Sequence, residues 1–186
     1  MENNFLIDGD SFKNISPFDR GLSFGDGVFR TFLVRSGCPV NWDMHYEKLK
    51  ADAKILKIKI PLKKYLLNDI KKLFIEDETY VGKVIITRGV SDQGYQFKKN
   101  IKSTCIVLKI NYKEINRRFY LNGVKLKICK TRTSHNEIYG GVKHLNRIDN
   151  VLAKSELNAT VFDGVMLDRN GYINECVSSN IFARYG

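Results

Sequence analysis

Lys143 is the residue of this chain best suited to covalent chemistry. It lies in the run Gly140–Arg147, where two glycines allow a close backbone approach. A lysine amine becomes a nucleophile when burial or nearby positive charge lowers its pKa from about 10.4. Val142 and Leu145 can supply apolar walls, and Arg147 can supply charge. With 31 lysines and arginines in the chain, an ordinary solvated lysine is the alternative interpretation.

Glu175 is the second candidate for chemistry. It lies at the end of a predicted strand and is followed by the polar run Ser178–Asn180, whose side chains could orient a ligand. A carboxylate in this position can pair with the protonated nitrogen of a pyridine ring, which keeps the ring effective as an electron sink. A surface glutamate at a strand end and a polar turn are the alternatives.

A glycine-rich segment, Arg20–Phe29, precedes a strand-like run. It contains neither the GxGxxG nor the GK[ST] pattern, so it gives little support to a nucleotide-binding loop. A tight turn that directs Phe29 and Thr31 into a cleft fits the sequence better.

Composition narrows the class of protein. The 186 residues are 43% hydrophobic, and no run approaches the ~18 apolar residues that a membrane helix needs. The start, Met1–Asn4, lacks a basic region, so we expect no secretory signal. The four cysteines, without a CxxC pair, favour reduced thiols in the cytoplasm over disulfides or a zinc or other metal site.

The net charge of +11 is spread along the chain. No block of five or six like charges occurs, and aromatic residues do not interleave with basic runs, so nucleic-acid binding ranks last. Solvated basic faces are the preferred interpretation, followed by attraction of small anionic substrates.

The elements that must position these residues follow from hydrophobic periodicity and turn signals. Two helices are predicted early in the chain, one capped by Asp43 and one with Pro61 in its first turn, and a third over Ile148–Leu157. The predicted strands are Phe5–Ile7, Val28–Arg35, Lys83–Arg88, Thr104–Ile110, Val124–Cys129, Gly164–Asp168, Tyr172–Glu175 and Asn180–Arg184.

This order of elements predicts an α+β fold with two lobes. We expect an N-terminal α+β lobe over 1–110, a connecting segment over 111–122 and a β-rich C-terminal lobe over 123–186. A cleft between lobes is where small-molecule sites tend to form.

Five segments, in this order, resemble the class IV pyridoxal-phosphate aminotransferase family. They are Asp19–Gly21 with Phe24–Gly27, His45–Leu49, Ile86–Gly89, Gly141–Arg147 and Glu175–Phe182. The resemblance implies the two-lobed fold-type-IV architecture and a homodimer. Because family members continue well beyond the equivalent of Gly186, it also implies that the second lobe is incomplete.

The resemblance also implies the site residues. Pyridoxal 5'-phosphate is expected as a Schiff base on Lys143, with Glu175 at the pyridine nitrogen and Lys48 at the phosphate. Lys48 stands where the family usually has arginine, so the positive charge is kept but the bidentate fork is lost. Phe29, Thr31 and Tyr95 are the expected substrate contacts.

The run Gly141–Arg147 most resembles the lyases of this family that convert 4-amino-4-deoxychorismate to 4-aminobenzoate and pyruvate, a step of folate biosynthesis. One alternative is an aminotransferase acting on D- or branched-chain amino acids. Another is a truncated, non-catalytic product. The segment Asp92–Tyr95 departs from the Gly-Arg-Gly-Tyr that related lyases tend to carry, which weakens the case for a dicarboxylate substrate.

Overall fold

The computed structural model describes residues 4–184 and residue 186. Backbone contacts divide the chain into two compact units. The first runs up to Lys113 and also includes Gly141–Asn146, and the second comprises Glu114–Gly140 and Arg147–Gly186. The segment Gly141–Asn146 is called the lysine segment below.

The elements of the first unit are β1 Phe5–Ile7, α1 Arg20–Phe24, β2 Gly27–Arg35, β3 Cys38–Pro39, α2 Trp42–Ile55, α3 Lys63–Leu73, β4 Thr79–Thr87 and β5 Thr104–Asn111. The strands form a five-stranded antiparallel sheet with the order β1-β5-β4-β2-β3.

The core of the first unit lies between the sheet and the two longer helices. The buried positions of α2 and of α3 recur at helical spacing, so each helix turns one apolar stripe to the sheet. Alternate residues of β2, among them Val28, Phe32 and Val34, meet these stripes. The opposite face of β2 carries Phe29 and Thr31, which are less buried. One face of the sheet is therefore packed against the helices, whereas the face that carries Phe29 and Thr31 is more accessible to a ligand.

The elements of the second unit are α4 Arg118–Asn122, β6 Leu126–Ile128, α5 Ile148–Ser155, β7 Asp163–Leu167 and β8 Ile173–Cys176. The strands form a smaller sheet, in which β6 pairs in parallel with β7 and β7 pairs antiparallel with β8. Cys129, Ala153, Met166 and Val177 form its cluster of buried residues, with Leu157 packed against them.

Several predicted boundaries need correction. The first long helix begins at Trp42, so Asp43 lies in its first turn, and Asn41 precedes it with a positive φ of 52°. Pro61 stands before the second helix, because Leu62 is still extended and the helix begins at Lys63. Helix α4 falls inside the segment that was predicted only to connect two lobes.

The predicted final strand was wrong. Residues 180–184 adopt no regular secondary structure, and Tyr185 lies outside the described residues. The prediction rested on a short apolar run, and such a run forms a strand only where a neighbouring strand accepts its hydrogen bonds. The predicted lobes also placed the lysine segment in the C-terminal lobe, whereas its contacts lie with the first unit.

Among the described residues, no helix has the length and apolar character required to cross a membrane. The same residues hold no group of three or more His, Cys, Asp or Glu side chains arranged to bind a metal ion. Each of the four cysteines is a free thiol.

Candidate active site

The lysine segment lies alongside the first residues of β2. The Phe29 amide donates to the Lys143 carbonyl at 3.0 Å, and the Leu145 amide donates to the Gly27 carbonyl at 3.0 Å. Gly27 makes this approach possible, because a Cβ there would stand 2.6 Å from Leu145 Cδ1 and 2.7 Å from the Ile86 carbonyl oxygen. Gly27, the last glycine of the segment Arg20–Phe29, therefore allows the lysine segment to lie against the sheet.

Lys143 shares an aromatic ring with a second lysine. Its Nζ lies 5.2 Å from the centre of the Phe29 ring, and Lys83 Nζ lies 4.8 Å from the same centre. Lys83 is paired in register with Thr31, so Phe29, Thr31 and Lys83 share one face of the sheet. Two ammonium groups around one aromatic face suit a planar anionic ligand.

Asp52 of α2 provides a carboxylate that contacts the lysine segment. It is fully buried in α2, where its Oδ1 accepts from Lys48 Nζ at 2.9 Å and its Oδ2 accepts from the Lys143 amide at 3.1 Å. The Arg30 guanidinium also donates to Oδ2. One carboxylate thus joins Lys48, predicted as a phosphate ligand, to the backbone of Lys143.

His45 lies on the packed side of the same unit, and its ring centre is 5.5 Å from that of Phe32. Burial, and then the charge of Arg30, lower the pKa of His45 from its ordinary value of 6.5. The imidazole is therefore neutral at neutral pH, and it adds no further positive charge to this region.

Tyr95 belongs to a loop that two buried arginines hold in place. Asp26 accepts from Arg20 Nε at 2.9 Å and from Arg88 Nε at 2.7 Å. Arg20 also donates to the carbonyls of residues 94–96. The Tyr95 ring is 5.3 Å from Phe24, and 87% of the residue is exposed. Tyr95 is thus connected with α1 through its ring contact with Phe24 and its carbonyl contact with Arg20.

Glu175 lies in the second unit, on β8 and opposite Met166 of β7. It is half-buried, and Asn150 Nδ2 donates to its Oε1 at 3.4 Å and to the Val177 carbonyl at 3.0 Å. Asn150 comes from α5, so helix and strand together orient this carboxylate.

Ser178 and Ser179, which the sequence suggested could orient a ligand, form hydrogen bonds with Asp163 instead. Their amides donate to Asp163 Oδ2 at 3.1 and 2.8 Å, and the Ser178 hydroxyl donates to the same atom at 3.0 Å. Burial acts to raise the pKa of Asp163, but hydrogen bonds from Ser179, Gly164 and Ser178 outweigh it and the pKa is lowered. Asp163 therefore fixes the turn after β8.

Three of the predicted site residues come together within the first unit. Lys143 contacts Phe29, and Asp52 links Lys143 to Lys48. Thr31 shares the face of Phe29, whereas Tyr95 packs on α1 and Glu175 belongs to the second unit. Sequence reasoning missed Asp52, although the i,i+4 spacing of Lys48 and Asp52 was a usable signal. It also missed Lys83.

Comparisons with known proteins decide the family. A model of the amino-transferase class IV family matches residues 27–186, a range that includes Lys143 and Glu175. The chain belongs to this family. It is 28% identical over 179 residues to an aminodeoxychorismate lyase from Vibrio harveyi, covering 96% of this chain and 66% of that protein. It is also 26% identical to a D-alanine aminotransferase from Listeria monocytogenes, with coverages of 97% and 63%.

A solved structure supports the same assignment for the fold. The 4-amino-4-deoxychorismate lyase from Pseudomonas aeruginosa aligns with a TM-score of 0.88 and 32% identity, over 95% of this chain and 65% of that one. The predicted fold-type-IV architecture is confirmed. The chain spans less than two thirds of the length of each of these three proteins.

Proteins of this family depend in general on pyridoxal phosphate. The residues of the first unit fit such a group. The ammonium groups of Lys143 and Lys83 share the Phe29 ring, which gives this face of the sheet positive charge. On the helix side, Arg30 and Lys48 pair with Asp52, which also accepts from the Lys143 amide. An anionic ligand with an aromatic ring matches both this charge and the Phe29 face.

Proposed function

We propose that this chain carries the pyridoxal-phosphate site of a lyase that converts 4-amino-4-deoxychorismate to 4-aminobenzoate and pyruvate. The observation that carries the proposal is the placement of Lys143, the expected Schiff-base residue, against the Phe29 ring that it shares with Lys83. The similarity to two proteins described as lyases of this substrate supports the choice of reaction.

The cofactor-binding residues follow from the contacts. Lys143 would bind the cofactor covalently, and Phe29 would border the ring. Lys48 would contact the phosphate, but it shares its ammonium with Asp52, so the phosphate must compete with that carboxylate. Glu175 would meet the pyridine nitrogen as a carboxylate whose orientation Asn150 fixes. When bound, pyridoxal phosphate supplies an electron sink for negative charge that develops on the substrate.

Lys143 would also move protons during the reaction. Its Nζ would accept a proton from the substrate as a general base. The same amine would then donate a proton to the departing enolpyruvyl group as a general acid, so that this group leaves as pyruvate. Lys83 and Lys143 together would attract the carboxylates of an anionic substrate, and Thr31 and Tyr95 remain proposed substrate contacts.

An aminotransferase acting on D- or branched-chain amino acids is the second candidate. It is supported by the similarity to the D-alanine aminotransferase and by the absence of an arginine from Asp92–Tyr95. Both reactions need the same lysine, so the site residues are shared. A homodimer and a cytoplasmic location remain proposals that rest on the family resemblance and on the cysteine content.

The first test is lysine-dependent cofactor binding. Pyridoxal phosphate is added to the purified chain, to Lys143→Ala and to Lys125→Ala, a control that removes an exposed lysine of the second unit. We expect a visible absorption band for the wild type and the control, and its loss in Lys143→Ala. Borohydride trapping with mass spectrometry should place the adduct on Lys143. A band that survives in Lys143→Ala would contradict both candidate reactions.

The second test separates the two reactions. Pyruvate release from 4-amino-4-deoxychorismate is compared with amino transfer from D-alanine to 2-oxoglutarate, in the same preparation. Lysine-dependent pyruvate release without amino transfer supports the lyase, and the opposite result supports the aminotransferase. If the wild-type chain shows the absorption band but has no activity on either substrate, the proposal is restricted to cofactor binding.

A further inference from the structure

We infer that Asp52 is a positioning residue for Lys143, which it holds by the backbone rather than by the reacting amine. The inference rests on the proposed role of Lys143, and it adds a residue that the family resemblance did not supply. Asp52 Oδ2 lies 3.1 Å from the Lys143 amide nitrogen. A carboxylate that accepts from a backbone N–H makes a charge-assisted bond, stronger than a neutral one.

The lysine segment begins at Gly141, which has no side chain to anchor it to the sheet. Gly141 has a positive φ of 78°, and a Cβ at this position would meet no atom within 4 Å. Beyond it, the segment is tied to β2 by the two backbone hydrogen bonds to Phe29 and Gly27. Asp52 adds a contact from α2, so Lys143 is held from a strand and from a helix at once.

The burial of Asp52 makes this contact rigid. Its side chain has no solvent exposure, and a buried carboxylate is costly unless charged or hydrogen-bonding partners surround it. Arg30, Lys48 and the Lys143 amide are the partners that the structure gives it. Because these partners come from a strand, a helix and the lysine segment, a shift of the segment disturbs the whole group.

The Asp52 carboxylate also balances the positive charge of Arg30 and Lys48. Removing its charge withdraws a counter-ion from Arg30 and Lys48, so an anion should bind more tightly there. Removing its hydrogen bond should loosen the lysine segment. A residue with a merely structural role would not produce these two effects in opposite directions.

The experiment compares Asp52→Ala and Asp52→Asn with Asp43→Asn. Asp43 lies on the same helix, has an 80% exposed side chain and pairs with Lys63 at 2.9 Å, so its variant matches the charge change without touching the segment. Hydrogen–deuterium exchange of a peptide covering residues 141–146 is measured without cofactor. We expect about tenfold faster exchange in Asp52→Ala, a smaller increase in Asp52→Asn, whose amide oxygen can still accept, and none in Asp43→Asn.

A second set of measurements follows the binding of phosphate and pyridoxal phosphate rather than the exchange of backbone amides. Inorganic phosphate, titrated by calorimetry, should bind more tightly to Asp52→Asn than to the wild type. At a fixed concentration of pyridoxal phosphate, trapping on Lys143 by borohydride should fall in Asp52→Ala and recover in part in Asp52→Asn. Circular dichroism establishes that each variant is folded.

Unchanged exchange over residues 141–146 in a folded Asp52→Ala would overturn the inference. If that variant does not fold, Asp52→Asn decides the matter, and unchanged exchange over residues 141–146 in this variant would overturn the inference. Lys48→Ala keeps the contact between Asp52 and the Lys143 amide, so it should change exchange of the segment less than Asp52→Asn does. Because exchange is measured without cofactor, failure of the proposed function would appear separately, as a wild-type chain with no Lys143-dependent band.

Discussion

The two units of this protein surround their hydrogen-bonded carboxylates with different donors. In the first unit, Asp26 and Asp52 pair with arginine and lysine side chains, although the buried Asp19 accepts from two threonine hydroxyls. In the second, Asp163 and Glu156 accept mainly from hydroxyls and backbone amides, and a lysine ammonium lies 3.8 Å from Asp163. The first unit therefore relies more on ion pairs, whereas the second relies more on neutral donors.

Their cores differ in the same sense. The buried cluster of the first unit joins its sheet with α2 and α3, while that of the second consists of four residues and Leu157. Hydrophobic burial is the main source of stability, and a small core leaves a larger share to hydrogen bonds. We therefore expect core substitutions to destabilise the first unit most, and we expect a smaller, pH-dependent effect on the stability of the second.

The largest expected effect is that of a core truncation in the first unit. Leu66 has no solvent exposure, and replacing such a leucine with alanine costs about 2–5 kcal/mol. Hydrogen exchange should show lost protection in β2 and β4 of Leu66→Ala, with protection of β7 retained. The control is Leu62→Ala, since Leu62 is 60% exposed. An equal loss of protection in β7 would mean that the units unfold together, and the contrast would fail.

An intermediate effect is expected from removing a buried carboxylate. Asp19 is fully buried and accepts from Thr87 Oγ1 at 2.9 Å and from Thr104 Oγ1 at 2.7 Å. Asp19→Ala leaves these buried donors without their acceptor, which should cost roughly 3 kcal/mol in urea unfolding. Asp163→Ala should cost less, because Ser178 and Ser179 are exposed and water can replace the carboxylate. Equal costs would remove this difference between the units.

The smallest effect is one of pH in the second unit. Hydrogen bonds from the Thr131 hydroxyl, then from the Lys130 and Thr131 amides, lower the pKa of Glu156 from 4.5 to about 2. A lowered carboxyl pKa adds stability above pH 4.5, and this stability is lost as pH falls towards 2. The melting temperature of Glu156→Gln should therefore lie below the wild type at pH 7 and approach it near pH 2.

Glu137→Gln is the control for this pH effect, since Glu137 is an exposed carboxylate of the same unit. A melting temperature for Glu137→Gln that follows the same course would point to net charge as the cause.

The sequence allowed prediction of the parts that depend on local pattern. The strand Phe5–Ile7 and the hairpin after β2 follow from alternation and turn residues, and both are present. The family follows from motifs whose residue types serve one chemistry. By contrast, the pairing of Asp52 with the Lys143 amide joins positions 91 apart in sequence. Such a contact depends on how α2 packs on β2, which periodicity does not reveal.

The failures have the same origin. A strand was predicted at 180–184 from apolar residues alone, without knowledge of a pairing partner. The lysine segment was assigned to the C-terminal lobe because its neighbours in sequence belong there. Lys83 was missed because alternation places a lysine on one face of a strand without showing that Phe29 and Lys143 share it.

The return of the lysine segment to the first unit has a consequence for the order of synthesis. Residues up to Lys113 emerge from the ribosome first, and Gly141–Asn146 follows only after part of the second unit has been made. Domains tend to fold as they emerge, N-terminal part first. The first unit would therefore wait for its reactive residue, and Asp52 would wait for the amide that completes its set of partners.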